Sequence, residues 1–381
     1  MLISGIEHID RQAWLQLVRE SPTATWFQTP EAYDFYASLP QMMTPFVIAV
    51  TRQSSENPPL SNSPLSAASP LSEASPLTNP PLIKGLVLGY VTRDHNPLKQ
   101  FFSRRAIIYG GPLLADDITD DELKELLYSL SAASPLKDPP LEDSPLSAAS
   151  PLKNSPLEDP PLTSPIYVET RNFADFSRWR HVFEQCGFRY QPHYDMFIDC
   201  SDRDAMLARI HESKLRQIRK AQNEGVEIVE ATSGHEVAEF YSLLKTLYQK
   251  KVRKPLFNEE FFTTFVAQKR GVLLLAKRDD KVIGGMLCPI LSGKALYEWY
   301  VVGPAIVTWA AMNYANNHHL PLFDLMGAGE PDVPYGVRDF KLQFGGELHE
   351  FGRFTNVNSL ILYRIGKAVI SITRRLNLLF F

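Results

Sequence analysis

The chain has 381 residues, 44% of them hydrophobic and 22% charged, with a formal net charge of −4. That length holds two domains of ordinary size, and that balance belongs to a globular protein rather than to a basic surface that coats nucleic acid. Met1–Trp14 carries acids and no apolar core, so it does not read as a secretory signal, and no uncharged apolar run reaches the ~18 residues that span a bilayer. Cys186, Cys200 and Cys288 form no CxxC pair. They therefore read as reduced, buried thiols of a cytoplasmic protein rather than as zinc ligands.

In chain order, Phe46–Val50 and Gly85–Thr92 read as apolar strands. Between them lies the first of two low-complexity tracts, residues 53–82; the second covers 131–165. Both repeat Ser-Pro-Leu or Pro-Pro-Leu, the hexapeptide SAASPL occurs three times, and 16 of the 29 prolines fall inside them. Proline at this density removes backbone donors and biases its predecessors to extended conformations. Isolated leucines there bury too little to offset ordering entropy, so both tracts are expected to be disordered insertions at loop tips.

Ala106–Tyr109 reads as a strand closed by Gly110-Gly111-Pro112, and Asp117–Leu130 as a helix. Past the second tract come a strand, Ile166–Thr170, a helix, Phe176–Cys186, stopped by Gly187, and a strand, Tyr194–Asp199. The second half opens with a helix, Arg203–Glu224, followed by the strand Val226–Glu230 and the helices His235–Lys250 and Asn258–Gln268. Val272–Lys277, Lys281–Leu291 and Ala295–Val302 form a three-strand meander. The helix Ile306–Asn316, the strand Leu320–Leu325, further strand segments to Phe354 and a last helix, Ser359–Leu376, complete the chain.

Four places could carry chemistry. On the helix Arg203–Glu224, Arg216 and Lys220 lie opposite the apolar stripe with Arg219 beside them. They would make a basic wall for phosphates, although a solvated outer face has the same pattern. Tyr297 and Trp299 alternate onto one strand face, as cleft lining or as core. Asp324 ends a strand and Gly327-Ala328-Gly329 follows, where backbone can approach a ligand. Tyr335–Gly346, YGVRDFKLQFGG, sets Lys341 between Phe340 and Phe344 behind the glycine turn at Tyr335-Gly336. A held ammonium could stabilise an oxyanion, while a surface lysine beside two core phenylalanines fits equally. No GxSxG, HExxH or P-loop is present, and no nucleophile stands out.

The segments LRQIRKAQNEGVEIV (Leu215–Val229), YQKKVRKPLFNEEFF (Tyr248–Phe262), YEWYV (Tyr297–Val301), FDLMGAG (Phe323–Gly329) and GVRDFKLQFGGEL (Gly336–Leu348) resemble, in this order, those of the FemABX family. The resemblance covers residues from about Asp202 to Phe354; in the first half it is architectural. It implies an α/β (α+β) fold of two tandem acyl-CoA N-acyltransferase (GNAT)-like domains with mixed sheets flanked by helices. The expected bounds are 1–200 and 201–356, with an amphipathic helix at 357–381. It further implies transfer of an amino acid from aminoacyl-tRNA to the stem peptide of a lipid-linked or UDP-linked peptidoglycan precursor, with no metal and no cofactor. Lys341 falls on the family's Phe-Lys motif as the catalytic lysine, and Arg216 and Arg219 on its basic helix. Lys220, Tyr297, Trp299, Asp324, Gly327, Tyr335 and Phe340 are the remaining expected substrate contacts.

Two features depart from the family. No heptad arm is present, and the loop after Tyr300 is short. Val301–Val307 also lacks the Gly-rich pyrophosphate loop of coenzyme A enzymes. An N-acyltransferase acting on an envelope sugar or polysaccharide from acyl-CoA, or a catalytically weakened binding protein, are the alternatives. The last helix sets Ile361, Ile365, Ala368, Ile372 and Leu376 on one face and Arg364, Lys367, Arg374 and Arg375 on another. It can dock on the protein body or make a peripheral contact with the inner face of the membrane.

Overall fold

A computed structural model describes residues 1–52, 82–94, 104–130 and 165–375. The tracts, at 53–81 and 131–164, lie outside the described residues. Leu82 and Pro165, expected at the tracts' ends, belong to the body. Leu82 begins a strand, and the Pro165 carbonyl accepts from Asn358 Nδ2 at 3.0 Å.

The described strands form two mixed sheets. The first contains β1 (Leu2–Ser4), β2 (Met43–Arg52), β3 (Leu82–Thr92), β4 (Arg105–Gly110), β5 (Leu113–Leu114), β6 (Tyr167–Asn172), β7 (Arg189–Gln191) and β16 (Arg353–Val357). Their order is β1-β2-β3-β4-β6-β16-β7, with β5 on β3. The second contains β8 (Tyr194–Asp199), β9 (Glu227–Glu230), β10 (Gly271–Arg278), β11 (Lys281–Leu291), β12 (Ala295–Tyr297), β13 (Tyr300–Val302), β14 (Leu322–Asp324) and β15 (Glu347–Glu350). Their order is β15-β8-β14-β12-β11-β10-β9, with β13 on β11. Each sheet has one parallel pair among its described strands, β4 with β6 and β12 with β14.

Chain order does not divide these sheets. β8, expected in the first unit, pairs with β14 and β15 in the second sheet. β16, expected in the second unit, sits between β6 and β7 in the first.

Helices cover the sheets. α1 (Arg11–Glu20), α2 (Pro30–Ala37), α7 (Gly234–Leu247) and α8 (Glu259–Ala267) share one hydrophobic core with the facing sides of both sheets. α3 (Asp120–Tyr128) and α4 (Arg180–Gln185) pack on the far side of the first sheet. α5 (Arg203–Arg209), α6 (Glu212–Asn223) and α9 (Ile306–Asn317) pack on the far side of the second. α10 (Gly336–Leu342) and α11 (Leu360–Arg375) complete the described helices.

Three local differences from the sequence expectation have physical causes. The single helix expected at 203–224 is α5 and α6. His211 caps the second with its ring, and its backbone N–H donates to Gln343 O at 2.8 Å, so a tertiary bond interrupts the helix. The strand 295–302 breaks at Glu298-Trp299, where Glu298 N donates to Asp324 O and Trp299 N to Leu287 O. The segment after Tyr335, expected as a glycine turn and strands, is helical through α10.

Candidate active-site cleft

The chain passes between the sheets at two adjacent places. Gln191-Pro192-His193 leads from β7 to β8, and Phe351-Gly352 leads from β15 back to β16. The two are joined by Gly352 N donating to His193 O at 3.0 Å. Gly352 has φ +67°, and a Cβ there would overlap the Tyr190 ring, so the return crossing needs glycine. A cavity of about 360 Å³ opens against these crossings. Its lining includes His193, Arg353, Lys254, Gly327, Gly329 and Tyr335.

The floor of the cavity is the loop after β14. Asp324 Oδ1 accepts from Met326 N at 2.6 Å, Ala328 N donates to Tyr194 O, and Tyr194 N donates to Gly329 O, both at 2.8 Å. Lys341 holds this loop from beneath. The residue is only 5% exposed, and its Nζ donates to Leu325 O and, at 3.3 Å, to Gly327 O, and pairs with Glu298 Oε1 at 3.1 Å. An ammonium has three hydrogens, and these three acceptors use them all. The alternative of a surface lysine is thus excluded.

Buried carboxyls surround this contact. Asp195 on β8 and Asp324 on β14 are buried close enough to perturb each other, and two such carboxyls favour keeping a proton. Burial pushes Asp195 up to about 7, and burial and the neighbouring Asp195 raise Asp324 well above the usual carboxylate range. Burial raises Glu298 too, against the pull of Lys341.

The upper wall is cationic. Arg353 Nη2 donates to His193 Nε2 at 2.9 Å, and burial, then Arg353, holds that imidazole down to about 3 and therefore neutral. Burial opposes ionisation of Glu169, but Arg171 and Arg353 outweigh it and hold the carboxylate down to about 2. Arg171 also donates to Tyr109 Oη at 2.7 Å. Beyond it the tyrosines Tyr90, Tyr109, Tyr248 and Tyr300 gather between the two sheets, close enough to perturb one another. Tyr36 Oη and Trp299 Nε1, buried beside them, have no hydrogen-bond partner among the described residues. Of the residues that line the cavity, Arg353 and Lys254 are cationic and Glu330 is acidic, so the cavity suits an anionic ligand.

Of the residues expected from sequence, Lys341, Asp324, Gly327 and Tyr335 meet here. Arg216, Arg219 and Lys220 do not: all three are exposed on α6, Lys220 facing Glu224 at 3.7 Å, and none lines the cavity. Phe340 packs under Lys214 Nζ, 4.1 Å from its ring centroid. Tyr297 and Trp299 belong to the shared aromatic core, with Phe27 5.4 and 5.2 Å away respectively. Glu298, Asp195, His193, Arg353 and Lys254 were absent from the expected set. Glu298 had a signal, a lone acid inside the aromatic run YEWYV that would need a buried partner. His193 and Arg353 had none, because only the crossing brings them together.

No family model matches the sequence, and comparison with curated proteins finds no relative. The architecture is a mixed α/β fold with two mixed sheets flanked by helices. The crystal structure of FemX superposes with a TM-score of 0.62, covering 96% of this chain and 99% of that one at 12% identity. The described residues therefore share the fold of FemX. The C-terminal domain of a putative lysylphosphatidylglycerol synthetase from Agrobacterium fabrum reaches a TM-score of 0.44 at 8% identity, over 76% of this chain and 85% of that one. L-PGS from Bacillus licheniformis also reaches 0.44, at 11% identity, over 77% and 86%. These two are too distant to bear on function. Among the described residues no helix is long and apolar enough to cross a membrane.

Proposed function

We propose that this protein is an acyl-group transferase that passes an amino acid from aminoacyl-tRNA to an amine on the stem peptide of a peptidoglycan precursor. The observation that carries the reading is the fold shared with FemX, with a cationic cleft where the two sheets exchange strands. In this reading Arg353 and Lys254 hold anionic groups of the precursor, and the tyrosines line the path of the peptide. The acceptor amine attacks the ester carbonyl, the ester C–O bond breaks, and the tRNA leaves with its ribose hydroxyl restored.

Lys341 then acts differently from the oxyanion contact that the family resemblance implies. With its hydrogens committed to Glu298, Leu325 O and Gly327 O, it positions the cleft floor rather than meeting the reacting carbonyl. Purified protein incubated with labelled charged tRNA and a UDP-linked muropeptide should yield an extended peptide visible by mass spectrometry. Transfer from an acyl-CoA, with no transfer from any charged tRNA, would replace this reading by that of a coenzyme A-dependent N-acyltransferase.

A further inference from the structure

α11 leaves the first sheet after β16 and, among the described residues, exposes an apolar face. The helix touches the body through Tyr363, whose ring meets Tyr167 at 5.3 Å. Leu360, Ile361 and Ile365 are turned away and are 53%, 74% and 41% exposed. Arg364 and Lys367 are exposed beside them. From Leu360 to Phe381 the sequence has four cations, Arg364, Lys367, Arg374 and Arg375, and no acid, in a chain whose net charge is −4.

Exposed isoleucines beside cations form a surface that is apolar and positive at once. A bilayer with anionic headgroups matches it, taking the aliphatic side chains into the acyl boundary and the cations at the phosphates. A second copy of the chain matches it poorly, because a two-fold contact through Ile361 and Ile365 would bring Arg364 and Lys367 towards their own symmetry mates. With four cations in its final stretch, this segment is also unsuited to spanning the bilayer. We propose that α11 is a membrane-docking helix that lies in the plane of an anionic lipid surface with Ile361 and Ile365 inserted.

The test uses the full chain and needs no substrate, so its outcome is independent of the transferase reading. Flotation with phosphatidylglycerol/phosphatidylcholine vesicles should carry the protein upward, and vesicles of phosphatidylcholine alone should not. Arg364→Gln and Lys367→Gln should each weaken partitioning roughly fivefold, and added salt should weaken it further. Ile361→Glu with Ile365→Glu should abolish it while leaving the melting temperature unchanged, since both residues are exposed. Failure of the unaltered protein to float with either lipid overturns the proposal, as does flotation that survives the double substitution. Ile361-dependent self-association in sedimentation without lipid would assign the face to a second copy instead.

Discussion

At the scale of single residues, the floor of the cleft holds two buried carboxyls, Asp195 and Asp324, whose surroundings favour the protonated form. Asp195, raised by burial to about 7, binds its proton more tightly in the folded than in the unfolded chain, where an ordinary carboxyl titrates near 3.8. Its contribution to stability is therefore full at low pH and fades as pH rises through about 7. His193 acts in the opposite sense, but only below the ordinary histidine value of 6.5, since it is already neutral above its lowered one. Above about pH 6.5 the His193 effect is spent, and the coupled Asp195 and Asp324 carboxyls should lower unfolding free energy as pH rises further. Asp195→Asn, which mimics the protonated partner, should flatten that slope in denaturant titrations. An unchanged slope would mean that these carboxyls do not keep a proton in the folded chain. Sequence could not show this pairing, because Asp195 and Asp324 lie far apart in the chain and each reads as an ordinary acid at a strand end.

At the scale of elements, α10 grips the segment after β14 through Lys341, which is buried, and through Arg338, which is half-buried. Lys341→Met should strand Glu298 in the core and cost roughly 3–5 kcal/mol, with faster hydrogen exchange at Ala328 N–H. Adding Glu298→Gln should recover part of that loss, so the two changes are coupled; strict additivity would show that the ion pair is not what holds the loop. Most elements were legible locally. α3 announces itself by Thr119 and Glu122, which form a capping box, and Gly187 ends its helix at φ +84° as the pattern demands. α10 was not legible, because glycines on both sides and alternating apolar residues imitate turns and strands. The break between α5 and α6 was hidden too: Leu207, Ile210, Ile218 and Ala221 keep helical spacing across it, and a bond to Gln343 decides the matter.

At the scale of the whole molecule, neither half is complete by itself. β8 fills the place between β14 and β15, and β16 the place between β6 and β7. The aromatic core around Trp26, Phe35, Phe261 and Trp299 joins helices from both halves. A fragment of residues 201–381 should thus lack a cooperative unfolding transition, as measured by circular dichroism during heating, even though it contains all five of the segments that resemble FemABX. A folded fragment with a sharp transition would show that β8 is dispensable. Paired sheets flanked by helices were readable from the order of elements, but the exchange of strands was not, since local patterning carries no information about which sheet a strand joins.

That exchange also governs how the protein emerges from the ribosome. β7 has β16 as its described partner, so residues 189–191 must wait for Arg353–Val357 before they can pair. The edge of β6 beside it stays open for the same interval. At synthesis rates of about 5–20 residues per second, more than 160 intervening residues keep that edge uncovered for roughly 8–30 seconds. An unpaired strand edge is a site for chaperone capture or misassembly, so nascent chains stalled before residue 353 are the form of this protein most exposed to both.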